Sequence, residues 1–321
     1  MRRLLPDIGF GPRRADRTRR KPNADGPFPA NHALAVTHVS VDPAMIVTRF
    51  APSPTGLLHL GSAYSALFAW DQAKRATGRF LLRIEDIDRV RCRPEHETAM
   101  RDDLAWLGLR WEEPVRRQSE HRADYAAALD RLKAKGVIYP CFCTRADIAR
   151  LASAPHGIEP IYPGTCRHLS AQDVARRQES GQAFALRLDA TKAAALTGPL
   201  KWRDLDRGEF RADPASHGDV VLARKDIGTS YHLAVTLDDH LQGVTLVTRG
   251  EDLLPATHIH RLLQALLDLN VPEWRHHKIV RDESGERLAK RRESPSISSL
   301  RDAGETPETI RARLGFANTS S

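Results

Sequence analysis

The alternation of apolar and polar positions becomes regular only after Met45. The run IVTRF reads as a short buried strand, and the turn PSPTG follows it. A helix is predicted from about Gly61 to Thr77, with Ala63, Leu67 and Trp70 on one face and Gly78 as its stop. RFLLRIED, Arg79 to Asp86, reads as a second strand. Strand, helix, strand is a βαβ unit, which predicts a parallel sheet. Pro94 opens a further helix, with Met100, Leu104 and Leu107 at i, i+4, i+7 and Gly108 at its end. Another runs from a Ser119 cap through Tyr125, Leu129 and Leu132 to Gly136.

From Val137 the texture changes. YPCFCT, a loop rich in Pro and Gly around SAPHGIEPIYPGTC, and the alternating AFALRLD predict an inserted module with a small sheet of its own. DLDRGEF reads as a hairpin turn. Near Asp219 the parallel pattern resumes with strand DVVLAR, a turn at KDIG, a helix in YHLAVTLDD and strand VTLVTRG. A helix with Ile259, Leu262, Leu263 and Leu266 on its face comes next. The tail holds SGERLAKRRES and a last short helix, capped by Thr306, with Pro307 at its first position and Gly315 at its end. The expected architecture is a doubly wound α/β domain split by an insertion. Residues 45–136 form its first half, 137–218 the insertion, 219–275 the second half, and 276–321 a loop and short helix.

Composition narrows the class without naming it. Of 321 residues, 41% are hydrophobic and 28% charged, as in soluble globular proteins. No run approaches the roughly eighteen apolar residues of a membrane span. The net charge of +8 permits a polyanionic partner. Half of that excess, eight Lys/Arg against four Asp, sits in residues 1–44. That segment is rich in Arg, Pro and Gly, lacks the apolar stretch of a secretory signal, and is expected to be a disordered tail or a start upstream of the true one at Met45. The four cysteines, Cys92, Cys141, Cys143 and Cys166, are too few for a disulfide framework and favour a reducing cytoplasm.

Candidate chemistry gathers at the first strand-to-helix turn. Pro52 and Pro54 fix φ and Gly56 lets the backbone reverse, so that His59 and the amides near Gly61 reach the front of a helix. Unpaired N–H groups and partial positive charge there suit a phosphate, and the small Gly61 and Ser62 admit a nucleotide. Alone, the stretch is better read as an ordinary strand-to-helix turn with a surface histidine. GERLAKRRES supplies Lys290, a side chain able to swing onto phosphates, although a charge run by itself is an ordinary solvated surface.

Taken together, RFAPSPTGLLHLGS, RIEDIDR, SYHLAVTLDDHLQGVTLVTRGEDL and RLAKR resemble the class I aminoacyl-tRNA synthetases of the glutamate type, from about Val47 to Arg292. His59-Leu60-Gly61-Ser62 sits where that class has its HIGH signature, with Ser62 in place of the second histidine, as is usual in glutamate-type enzymes. Arg287-Leu288-Ala289-Lys290-Arg291 sits at KMSKS; Arg287 and Ala289 depart from it and Lys290 is kept. Only 31 residues follow Lys290, too few for an anticodon-binding region. The resemblance therefore runs to the truncated paralogues of the family, with a Rossmann-type parallel sheet, an inserted α+β zinc-bearing module and no anticodon-binding domain.

By that resemblance, the chain activates L-glutamate with ATP and Mg²⁺ in the absence of tRNA. It then transfers the glutamate to queuosine in the anticodon loop of tRNA(Asp), acting as a cytoplasmic monomer with no membrane partner. The alternatives are a minimal enzyme that charges a tRNA 3′ end and a catalytically silent protein that binds tRNA or glutamate. Glutamate carries two carboxylates and an ammonium, so its pocket needs two cations and an anion. Arg49 and Arg249 are expected to bind the carboxylates in bidentate fashion, and Glu85 the ammonium. Ser53 and Tyr231 add neutral hydrogen bonds, and Phe50, Ala51 and Pro52 complete the glutamate-binding segment. His59, Gly61, Ser62 and Lys290 are assigned to ATP, with His59 and Lys290 catalytic. Cys141, Cys143 and Cys166 offer three thiolates for a structural zinc. The family pattern makes Tyr162 the fourth ligand, with His168 the conventional alternative and His156 a weaker one; Cys92 looks incidental.

Overall fold

The computed structural model describes residues 45–144, 146–148, 161–281 and 295–316. The expectations for residues 1–44, His156 and the RLAKR segment with Lys290 lie outside them. β1 (Val47–Phe50), α1 (Leu60–Arg75) and β2 (Arg79–Ile84) form the expected βαβ unit, with β1 and β2 parallel in the register Val47↔Arg79 to Phe50↔Leu82. Gly78 does not end α1 as a left-handed cap; Thr77 takes that role at φ 52. Gly78 is required for close approach, because a Cβ there would lie 2.0 Å from the Ile46 carbonyl oxygen.

α2 (Pro94–Trp106) leads to β3 (Glu112–Arg117), which pairs parallel with β2. α3 (Arg122–Ala134) begins later than its expected Ser119 cap. The Ser119 hydroxyl and amide are instead bound to Asp86, at 2.6 and 2.8 Å. Next come β4 (Ile138–Cys141), α4 (Ala171–Glu179), β5 (Ala185–Leu188), α5 (Ala190–Thr197), and the hairpin β6 (Lys201–Asp204) with β7 (Gly208–Arg211). They are followed by β8 (Val221–Ala223), α6 (Tyr231–Leu241), β9 (Leu246–Gly250), α7 (Ala256–Leu267) and β10 (Glu273–His277), and then by α8 (Ile297–Asp302) and α9 (Pro307–Arg313).

β9 and β10 are parallel, with Arg249 opposite His276. β1 lies against the entry to β9, where Thr245 N donates to Val47 O at 3.0 Å and Val47 N to Thr245 Oγ1 at 2.8 Å. The parallel strands thus run β3-β2-β1-β9-β10, and the winding direction reverses between β1 and β9. One apolar cluster packs α1, α2, α8 and α9 on one side (Leu67, Leu104, Ile297, Ile310). Another packs α3, α6 and α7 (Leu132, Leu237, Leu263). Helices on both faces of a parallel sheet give the doubly wound arrangement, whose ligand crevice lies at the carboxyl ends of the strands beside the reversal.

Strand pairing crosses the boundaries expected for the insertion. β4, β5 and β8 form its own antiparallel sheet, so β8 joins the module although it follows residue 218. The hairpin β6–β7 instead extends the main sheet, with Asp204 opposite Trp274 of β10. Trp202 packs on Trp274 at 5.6 Å between ring centres, which draws the hairpin onto the parent domain.

Candidate active site

The crevice at the reversal is a cavity of about 520 Å³. Arg49, Phe50, Ala51, Pro52, Ser53, His59, Gly61, Ser62, Glu85, Tyr231 and Arg249 all line it. β1 delivers Arg49 at its carboxyl end, β2 leads into Glu85, and β9 delivers Arg249. The PSPTG turn is held to the sheet by Glu85 N donating to Pro52 O at 2.9 Å, and to the α2 entry by Arg93 N donating to Pro54 O at 3.0 Å. His59 is the N-cap of α1, its Nδ1 accepting from Ser62 N at 3.2 Å. Burial lowers its pKa, so a neutral ring with hydrogen on Nε2 fits this geometry. The same turn is tied to the segment entering α8, where Ile297 N donates to Leu58 O at 2.7 Å. Val280 lines the cavity and Ser296 bridges His59, so both flanks of the segment bearing Lys290 lie at the site.

The three arginines on these strands are not equivalent. Arg49, 5% exposed, is already bound side-on by Asp239, through Nε at 2.9 Å and Nη2 at 3.4 Å, while Nη1 donates to Thr248 O at 3.1 Å. A guanidinium has five N–H groups, so one on each of Nη1 and Nη2 is left over after these bonds. Arg83, which sequence reasoning passed over, is wholly buried and donates to Asp239, Gln242 and Glu85 at 2.8, 3.0 and 3.3 Å. Burial pushes the Asp239 carboxyl up, but the Arg49 and Arg83 guanidiniums outweigh that and hold it below its usual range. Asp238 is likewise satisfied, by Arg116, Gln118 and Tyr125 at 2.7, 2.8 and 2.9 Å.

Arg249 differs. It is 6% exposed, and no described carboxylate lies within ion-pair distance of it. Its partners are neutral: His276 Nε2 at 3.2 Å, His260 Nδ1 at 3.2 Å, Thr257 Oγ1 at 2.6 Å and Tyr231 Oη at 3.4 Å. Burial lowers its pKa, Tyr231 and the more distant Asp239 pull it back up, and the nearby Arg49 charge adds to the lowering. Burial also raises the pKa of Glu85, against the pull of Arg83 and Arg49. One cavity thus holds a buried guanidinium with no ion pair among the described residues, a second with N–H groups left over after its Asp239 and Thr248 bonds, and a carboxylate that a cation would stabilise. That set complements a small zwitterion bearing a second carboxylate.

In the inserted module, the Sγ atoms of Cys141, Cys143 and Cys166 lie within 4.8 Å of one another. Tyr162 Oη is 3.4 Å from Cys141 Sγ and 3.7 Å from Cys143 Sγ, and accepts from Cys166 N at 2.8 Å. His168 is exposed and stands outside this cluster. Three soft donors plus an oxygen at these separations fit a tetrahedral Zn²⁺. No helix among the described residues is long and apolar enough to cross a membrane.

Residues 45–320 match the family model of the class I tRNA synthetases for E and Q, catalytic domain, and the chain belongs to that family. It is 49% identical to the glutamyl-Q tRNA(Asp) synthetase of Rhodobacter capsulatus, over 84% of this chain and 100% of that one. It is 43% identical to the glutamyl-Q tRNA(Asp) synthetase of Symbiobacterium thermophilum, over 85% and 86%. Among solved structures, the glutamate-tRNA synthetase of Elizabethkingia anophelis superposes with a TM-score of 0.72 at 27% identity, covering 84% of this chain and 61% of that longer one.

Proposed function

We propose that the chain catalyses ATP-dependent activation of L-glutamate and then transfers the glutamyl group to queuosine in the anticodon loop of tRNA(Asp). The observation that carries the chemistry is the buried Arg249, left without a carboxylate partner in the same cavity as Glu85 and the N-terminus of α1. The glutamyl-Q names of the relatives covered over most of their length carry the acceptor.

In this reading Arg249 and the left-over N–H groups of Arg49 bind the two carboxylates. Glu85 binds the ammonium, and Ser53, Tyr231 and the Phe50–Pro52 backbone shape the pocket. An oxygen of the glutamate α-carboxylate attacks the α-phosphorus of ATP. The bond to the β-phosphate oxygen breaks, and pyrophosphate leaves with its electron pair. Mg²⁺ accompanies ATP and neutralises phosphate charge. His59 Nε2–H and the Gly61 amide in the first turn of α1 donate to phosphate oxygens, and Lys290 stabilises the charge that develops on them. A queuosine hydroxyl then attacks the mixed anhydride and AMP departs.

A zinc ion held by Cys141, Cys143, Cys166 and Tyr162 would be structural, tying the end of β4 to the 162–166 loop. What supports the site is its donor set, three thiols and a phenol oxygen gathered at these separations. The test of the acceptor uses radiolabelled glutamate and queuosine-containing tRNA(Asp). Loss of labelling when the tRNA is oxidised with periodate beforehand, with labelling retained when only the 3′ terminal adenosine is blocked, supports this reading. Label on the terminal adenosine identifies a minimal tRNA-charging enzyme instead.

A further inference from the structure

Arg249 sits at the centre of a shell of histidines that the proposed chemistry does not use. His276, its register partner on β10, accepts from Arg249 Nε through Nε2. On its other side His276 Nδ1 lies 2.7 Å from Asp204 Oδ2, and both side chains are wholly buried. A ring nitrogen that faces a carboxylate carries the hydrogen, so Asp204 holds His276 in the Nδ1–H tautomer and leaves Nε2 as an acceptor. On α7, His260 meets Arg249 Nη1 through Nδ1 at 3.2 Å, and its Nε2 lies 3.2 Å from His232 Nδ1 on α6. Arg249 cannot accept, so His260 Nδ1 must be bare, and the hydrogen on Nε2 points to His232.

This arrangement answers a specific physical problem. An arginine that must recognise a ligand carboxylate has to be buried and rigid, yet a protein carboxylate placed against it would compete with the ligand. Imidazole acceptors in fixed tautomers hold the guanidinium plane without placing a carboxylate in an ion pair against it. Asp204 contributes its charge only through the His276 ring. We propose that Asp204–His276 and His232–His260 are positioning residues for Arg249, and that they set the preference of the cavity for a dicarboxylic amino acid over its neutral amide. The proposal rests on the glutamate-activation reading above.

Two measurements test it on the full chain. In glutamate-dependent ATP–pyrophosphate exchange, His276→Ala should raise KM for glutamate about 10- to 100-fold, the effect of losing a hydrogen bond to a charged group. KM for ATP should change less than about 3-fold, and discrimination against glutamine should fall. His276→Gln places an amide oxygen where Nε2 was, and should recover most of the loss. Equal changes in both KM values, or no recovery with Gln, would assign His276 a merely structural role. Long-range ¹⁵N spectra of the wild-type protein provide a readout independent of activity: His276 protonated on Nδ1 and bare on Nε2 supports the proposal, and the opposite tautomer overturns it. If the wild-type protein shows no exchange with glutamate, the activation reading fails; if it does and His276→Ala keeps its glutamate KM, only this inference fails.

Discussion

Replacing Arg249 with Gln separates a binding group from a structural one. Removing one partner of a matched buried ion pair destabilises a protein by about 3–5 kcal/mol, because the other charge is stranded. Arg249 has no such partner among the described residues, and burial acts against its charged form. Gln still offers a donor to His276 or Thr257, so the ligand-free protein should be neutral or up to about 1 kcal/mol more stable, equivalent to roughly 2–4 °C in Tm. With glutamate the balance reverses. The ligand carboxylate then enters a buried site without its cation, at a cost of about 3–5 kcal/mol, or roughly 10²- to 10³-fold or more in kcat/KM for glutamate. Initial rates of ATP–pyrophosphate exchange across glutamate concentrations read the second number, and differential scanning fluorimetry without ligands reads the first. A Tm lowered by 6 °C or more, with an unchanged KM for glutamate, would refute the reasoning and make Arg249 a structural residue.

Other consequences differ in direction. Asp239→Ala strands Arg49 and Arg83 together, and should cost about 3–5 kcal/mol in urea unfolding, the opposite of Arg249→Gln. Burial and the Arg249 charge lower His232 and His276 to about 4, so the unfolded chain takes up protons before the folded one. Stability should therefore fall as pH drops from about 6.5 to about 4, and the urea midpoint followed across that range checks it. Gently purified protein should carry one zinc per chain by metal analysis, and a strong chelator should expose the module to proteolysis before the sheet domain; absence of zinc would count against the thiolate site. Lys290→Ala should lower the exchange rate far more than glutamate affinity, and equal losses in both would mean its role is misassigned.

The parts of this architecture that could be read along the chain are those where backbone chemistry and apolar period agree. The run from IVTRF through the PSPTG turn into α1 is one, and α6 and α7 with their apolar faces are others. Glu85, Tyr231 and Arg249 were legible through the motifs around them. What stayed hidden is polar burial. β3 (EEPVRR) and β10 (EWRHH) carry no strand alternation, and β10 is buried because His276 finds Asp204 across the sheet. Arg83 reads as a charge on a strand and Asp239 as one more acid on a helix, yet they meet across 156 residues to hold Arg49. That pairing takes up one edge of Arg49, whereas no ion pair among the described residues involves Arg249. The adjacent acids in LDDH, on a helix otherwise apolar at that turn, were the one local sign of it.

The most direct measurement of the central claim is ATP–pyrophosphate exchange by the wild-type chain without any tRNA, run in parallel with L-glutamate, L-glutamine and L-aspartate. The cavity described above predicts exchange with glutamate and at least tenfold less with the other two at equal concentration. No exchange with glutamate, or equal exchange with glutamine, would contradict the assignment of Arg249 and Glu85 to a dicarboxylic amino acid.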